Sequence, residues 1–319
     1  MTSPILERPV AGRSSLRAWL ELLRLPNLAT AWADVLMGFF VTHVDHQQWP
    51  MLLLLLGASS GCYLAGMVLN DVFDVEVDRV ERPGRPIPSG RISQASAHAG
   101  GILLLAGGVL CGWIASALLK DWRAGSVATV LALAVWLYDG PLKRLPIAPL
   151  VMGSCRTLNV LLGMSAAAVA WHPMFWLIAA GLGVYIAGVT WYARTEARES
   201  NRLRLASGIL MMIAGIGLIA WFPAWRDEPG PLVNPPGNID PVRWRLLMAL
   251  LAAMICWRAV WGVIEPQPKR VQLATKQAIL SVIVLDASIC FVFRDFDGAL
   301  PILLLLLPAM WLGRWIYST

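Results

Sequence analysis

Charge is scarce in this sequence. Asp, Glu, Lys and Arg make up 14% of its 319 residues against 57% hydrophobic residues, and the mean hydropathy is +0.62. The net charge of +6 fits membrane orientation better than nucleic-acid binding. Cysteine is sparse as well. Cys62, Cys111, Cys155, Cys256 and Cys290 all lie inside apolar stretches and form no CxxC pair, which argues against a disulfide framework or a zinc site. The four histidines are scattered, and His43 and His46, with Asp45 between them, read as loop residues. Residues 1–15 are polar and proline-bearing, without the short apolar core of a cleavable signal peptide. The first apolar segment is therefore expected to act as its own insertion signal.

Long apolar runs are what the sequence has in plenty. Ten can be marked, at 26–43, 51–72, 94–118, 124–139, 147–170, 174–193, 205–224, 242–263, 272–293 and 299–317. Most are long enough to cross the hydrocarbon layer as helices, which makes the expected fold an all-α polytopic membrane bundle in one domain over residues 1–319. With the N-terminus in the cytoplasm, the inside segments hold 18 basic residues and the outside loops 6, a clear positive-inside bias. Trp19, Trp49, Trp122, Trp171, Trp225 and Trp244 stand at segment ends, where an amphipathic ring suits the headgroup layer. The Gly57–Gly61 spacing reads as close helix packing. The Pro- and Gly-rich stretch 226–241 reads as an outside loop.

The second run ends in carboxylates, "NDVFDVEVDRVERPGRPIPSGR", residues 70–91. Helical phase puts Asn70 at about 0°, Asp74 at about 40°, Asp78 at about 80° and Asp71 at about 100°, while Glu76 falls near 240° on the opposite side. Three like charges on one stripe beside a bilayer repel one another and need a partner. One reading is a solvated helix end paired with Arg79, Arg82 and Arg85. The other is a hard divalent cation, Mg²⁺, bridging carboxylates to a diphosphate, with the arginine-rich loop supplying phosphate ligands. A second cluster, "YARTEARESNR" at 192–202, places Tyr192, Glu196, Glu199 and Ser200 on one face if that stretch is helical. Charged groups also fall inside apolar runs. Arg156 has Asn159 three residues on, and Asp34 and Asp286 are carboxylates that demand partners.

"NDVFDVEVD" resembles the NDxxDxxxD motif of the UbiA superfamily of intramembrane prenyltransferases. "YDGPLKR", residues 138–144, resembles that family's aromatic and Lys–Arg element, and "YARTEARESNR" stands where its second acidic motif falls. Within the superfamily, "ERPGRPIPSGRIS", "GSCRTLNVLLGMS" and "KQAILSVIVLDA" look most like the EboC branch. The resemblance implies about nine helices around a central cavity with a cytoplasmic cap, in a multi-pass protein of the bacterial inner membrane. It implies Mg²⁺-dependent transfer of a prenyl group from a prenyl diphosphate to a hydrophobic, aromatic acceptor within the lipid bilayer. Asp71, Asp74 and Asp78 would be catalytic and hold metal, together with Glu196 and Glu199. Asn70, Arg85, Lys143, Arg144, Arg156 and Arg202 would meet the diphosphate. Tyr138, Asn159, Tyr192 and Ser200 would line the cavity. The alternatives are a non-catalytic prenyl-lipid-binding protein and a transporter of a small amphiphile, although no inverted repeat is visible.

Overall fold

The computed structural model describes residues 15–42, 49–167, 171–194, 200–225 and 240–315. Its helices are α1 (Ser15–Leu23), α2 (Leu28–Thr42), α3 (Trp49–Phe73), α4 (Val75–Glu81), α5 (Gln94–Leu119), α6 (Arg123–Leu137), α7 (Ala148–Met164), α8 (Pro173–Ala193), α9 (Arg202–Trp221), α10 (Pro241–Ile264), α11 (Pro268–Leu304) and α12 (Leu306–Trp315). Among the described residues, six helical stretches are long and apolar enough to cross a bilayer: Trp49–Phe73, Gln94–Leu119, Arg123–Leu142, Pro173–Ala193, Arg202–Trp225 and Pro241–Ile264. The 15-residue α2 and 17-residue α7 are shorter and pack between longer neighbours. The chain is an all-α, multi-pass membrane protein.

From α5 onward each long helix packs on the next, through α6, α7, α8, α9, α10 and α11, and α11 closes the arrangement on α2. Helix α2 also touches α3 and α7, and nearly all of its residues are buried. Lipid supplies no hydrophobic drive between helices, so small residues that let backbones approach do much of the packing. A Cβ on Gly61 of α3 would stand 2.6 Å from the Cα of Gly108 on α5, and one on Gly188 of α8 would stand 2.8 Å from the carbonyl oxygen of Gly208 on α9. The close packing read from Gly57–Gly61 is thus present at the α3–α5 seam.

The last two apolar runs are divided where the sequence divides them. Within the stretch labelled α11 the backbone leaves helical geometry at Asp295 (φ 50°, ψ −144°), between the run at 272–293 and the run at 299–317, so two helical segments meet there at a kink. Pro301 lies in the second segment; proline lacks the amide donor and crowds the carbonyl four residues earlier, Asp297, so the ladder beside the kink cannot be regular.

Candidate active site at the end of α3

The carboxylate stripe survives a break in the helix. Asp74 separates α3 from α4 with φ −89° and ψ 2°. Even so, its amide donates to the Asn70 carbonyl at 3.0 Å, and the Asp78 amide donates to the Asp74 carbonyl at 2.9 Å. The chain keeps its helical path, and the stripe stays on one face. Glu76 points away, largely exposed and paired with Arg79 at 2.8 Å.

Three cations from three separate segments meet this face. Arg24 donates to Asp71 Oδ1 at 2.6 Å. Arg85 donates to the same oxygen at 3.2 Å and to Asp78 Oδ2 at 2.5 Å. Lys143 Nζ donates to Asn70 Oδ1 at 2.5 Å and also to Asp74. Asp71 and Asp78 are each 3% exposed, so the bonds from Arg24 and Arg85 run in a dry setting where they hold geometry well, while the Lys143–Asp74 pair is partly open to water.

Each cation is delivered by a local device. Arg24 joins α1 to a tight turn at Leu25–Asn27 in the left-handed conformation, φ 46° and ψ 47°, a strained choice for a residue with a side chain. Arg85 sits in the loop that follows α4. Pro83 disfavours helix at Arg82, and Gly90, at φ 74°, turns the chain so that the Ile92 amide reaches the Pro86 carbonyl at 3.1 Å. Ile87 and Ile92 then join Ala18 and Leu22 of α1 and Val68, Val72, Val75 and Ala97 in a small core of their own. The cap is therefore packed, and it is pinned further by an Arg91–Glu21 ion pair at 2.7 Å. Lys143 follows a wide turn, Tyr138–Leu142, where Gly140 leaves helical geometry ahead of Pro141. Tyr138 lies within electrostatic reach of Asp74.

The structure brings together Asn70, Asp71, Asp74, Asp78, Arg85, Lys143 and Tyr138, and it adds two residues that the sequence did not single out. One is Arg24. The other is Asp139, which is 4% exposed and lies within electrostatic reach of Lys143, Asp74, Arg24 and Asp71. Arg24 carries only one local signal, an isolated cation before a proline at the entry to an apolar run.

Other candidates stand elsewhere. Arg144 is exposed, and its carbonyl accepts from Arg194 at 2.9 Å. Arg202 is exposed, donating to the Ile264 carbonyl at 3.2 Å. Tyr192 is a packing residue, not a cavity one: it is 1% exposed, and its hydroxyl donates to the Ala259 carbonyl at 3.0 Å. The reason is Gly262, whose missing side chain makes room for the phenol. Helix α8 ends at Ala193, and Ser200 lies in non-helical chain with its amide on the Pro266 carbonyl at 3.3 Å. The shared helical face drawn for Glu196 and Ser200 therefore does not extend to Ser200. Glu196 and Glu199 lie outside the described residues. Arg156 and Asn159 belong to a separate buried group. Arg156 pairs with Asp34 Oδ2 at 2.9 Å, Asn159 donates to the same oxygen at 2.8 Å, and Ser59 donates to Asn159 at 2.7 Å.

As a donor set, Asp71, Asp74 and Asp78 suit Mg²⁺, being hard oxygens on one face. Among the described residues no three His, Cys, Asp or Glu groups converge ready to hold an ion, since Arg24, Arg85 and Lys143 engage those carboxylates.

Fold and site define a class: a helical intramembrane protein with an acidic stripe and a cationic clamp at one end of its bundle. The sequence profile of the UbiA prenyltransferase family matches residues 31–275, and the chain belongs to that family. Curated relatives include digeranylgeranylglyceryl phosphate synthases. That of Sulfurisphaera tokodaii is 34% identical over 134 residues, 41% of this chain and 45% of the relative. That of Methanopyrus kandleri is 32% identical over 161 residues, 49% of this chain and 57% of the relative. The chain spans about half the length of the curated relatives it matches. Among solved structures, an Aeropyrum pernix UbiA homologue superposes with TM-score 0.59 at 19% identity, covering 84% of this chain and 97% of that one. An Archaeoglobus fulgidus UbiA homologue bound to DMAPP and Mg²⁺ gives 0.55 at 14% identity, covering 84% and 99%. These likenesses establish the shared fold.

Proposed function

We propose that the chain transfers a prenyl group from a prenyl diphosphate to a hydrophobic acceptor, with Mg²⁺, at the stripe that ends α3. The observation that carries this reading is the convergence of Arg24, Arg85 and Lys143 on Asp71, Asp74 and Asp78. Three cations on one acidic face, buried at Asp71 and Asp78 and open to water at Asp74, form a site for a phosphate-bearing group whose own charge is matched in part by metal. Mg²⁺ held by those carboxylates would neutralise charge on the diphosphate. The guanidinium groups of Arg24 and Arg85 and the ammonium of Lys143 would turn from carboxylate to phosphate oxygens. In the reaction the allylic C1–O bond breaks and its electron pair leaves with the diphosphate. The acceptor gives an electron pair to C1 and then loses a proton. The apolar interior keeps water from the allylic cation. An aromatic carbon or an alcohol oxygen can serve as the nucleophile, and the name of the matched synthases supports an oxygen acceptor.

The test is incubation of purified protein with Mg²⁺, a panel of prenyl diphosphates and candidate acceptors, with mass spectrometry reporting released diphosphate. Lys143→Met is expected to weaken prenyl diphosphate affinity about tenfold, the loss of one charge-assisted contact in a partly exposed position. Affinity equal to the parent's would remove Lys143 from the site. Binding without turnover across the panel would select the non-catalytic reading, which is favoured by the neutral Ser200 and its tie to Pro266.

The basic-residue bias supports a cytoplasmic site. A cysteine at the exposed Ser89 is expected to resist an impermeant thiol reagent in intact cells and to react once they are opened. Labelling before opening would invert the topology.

A further inference from the structure

Two sets of charged side chains take no part in the proposed chemistry. One is internal, where Arg156, Asn159 and Asp286 gather round Asp34. The other is Arg258, which stands inside the apolar span α10 and is exposed. Among the described residues it has no hydrogen-bond or ion-pair partner.

Its depth and direction follow from the helix. Ile264 ends α10 six residues after Arg258, so the Arg258 Cα lies about 9 Å inside that end. A long side chain can extend from there to the headgroup layer. Arg258 comes one turn after Met254, whose carbonyl accepts from Gln277 of α11 at 3.3 Å, and three residues before Trp261, over whose ring the Arg270 guanidinium of α11 stands at 5.9 Å. Residues three and four apart are neighbours on a helix face, so Arg258 is bracketed by two contacts across the α10–α11 seam. Its exposure puts it on the outer side of that seam. Deeper in the bilayer, the outer surface continues through the exposed Met254 and Leu250 of α10 and Leu273 of α11. Among the described residues the carboxylate at this seam is Glu265, paired with Arg270 at 2.8 Å, and the charge of Arg258 is left over.

We infer that the α10–α11 seam binds an anionic lipid of the bilayer, with its phosphodiester held between Arg258 and Arg270 and its acyl chains laid along Leu250, Met254 and Leu273. A phosphodiester brings the one negative charge that Arg258 lacks, and guanidinium groups grip phosphate oxygens in pairs. Cationic pockets between membrane helices near a bilayer surface suit such headgroups. The exposed rings of Trp257 and Trp261 mark the same level, since indole favours the headgroup layer. A zwitterionic headgroup would bring its own cation against the two arginines and gain less. The apolar bed commits the site to a lipid, because a free phosphate would leave that bed uncovered.

The test is native mass spectrometry of the purified protein in detergent, titrated with dioleoyl phosphatidylglycerol or dioleoyl phosphatidylcholine. The parent is expected to retain phosphatidylglycerol about tenfold more tightly than phosphatidylcholine, and to bind no glycerol phosphate at the same concentration. Arg258→Gln is expected to lower phosphatidylglycerol to the phosphatidylcholine level, a loss of about tenfold. Arg258→Lys keeps the charge and is expected to stay within about threefold of the parent. Arg144→Gln removes an exposed cation elsewhere and is expected to stay within about twofold, which separates a site from general attraction to a basic surface. Equal retention of the two lipids by the parent overturns the inference, whether or not Arg258→Gln folds, and so does an Arg258→Gln variant with the parent's preference. Glycerol phosphate bound as tightly as the lipid would make the seam a soluble-anion site. A dimer that dissociates on Arg258→Gln would make it an interface between copies, and either result overturns the lipid assignment.

Discussion

Asp71→Asn is expected to reduce Mg²⁺-dependent prenyl diphosphate binding about a hundredfold, whereas Glu76→Gln leaves it within about twofold; a charge partner lost from a desolvated network costs on the order of 3 kcal/mol. The contrast follows from where the two carboxylates point. Asp71 is buried, and its Oδ1 accepts from both Arg24 and Arg85, so losing its charge removes a metal ligand and unsettles two phosphate-facing cations together. Glu76, five residues on, is exposed and bonded to its neighbour Arg79, and an exposed pair of this kind contributes little. Calorimetric titration of each variant with a prenyl diphosphate, with and without Mg²⁺, checks the result. Equal losses from the two would mean that the stripe is not the binding surface.

The second large effect is on stability. Arg156→Met alone is expected to destabilise the protein by about 3–5 kcal/mol, because Asp34 is left in the bundle interior without its partner. Replacing Asp34 and Asp286 by leucine in the same chain is expected to recover most of that loss, since apolar side chains of similar volume need no counter-charge. Thermal unfolding in a single detergent, followed by tryptophan fluorescence, gives the comparison. A single variant as stable as the parent would show that the ion pair adds nothing to the packing of α2 against α7. No recovery in the triple variant would show that the four polar groups form a network whose members cannot be removed together.

The apolar runs predicted the helices well because in a bilayer nearly all of the signal is length and hydropathy. The runs beginning at 51, 94, 174 and 242 match α3, α5, α8 and α10 within a few residues. The acidic stripe was also legible, since it needs only helical phase and α3 passes that phase to α4 across Asp74. What failed to show were partners distant in sequence. Nothing near Asp71 points to Arg24, and nothing near Arg156 chooses between Asp34 and a phosphate. The error at Ser200 had an available signal. Asn201 accepts from the Leu203 amide at 2.8 Å and starts α9, and a capping Asn in that place marks a helix beginning. The break at Asp295 was legible as the polar gap between the runs at 272–293 and 299–317, although its positive φ was not, because no glycine stands there to advertise it.

The separations within the clamp also fix an order of events during synthesis. Arg24 lies 47 residues before Asp71, so its cation has already left the ribosome when the carboxylate emerges. Arg85 follows 14 residues behind Asp71 and 7 behind Asp78, and these pairs can close while the next helix is still being made. Among the described residues Asp74 has no such early partner, because Lys143 comes 69 residues later, after two more membrane helices. Until then an Asp74 without its cation is best placed at the aqueous edge, where its charge stays solvated. The last pair of the clamp closes only once α6 has been threaded and its exit turn laid down, so a chain stalled before that point would carry an acidic face still open on the Asp74 side.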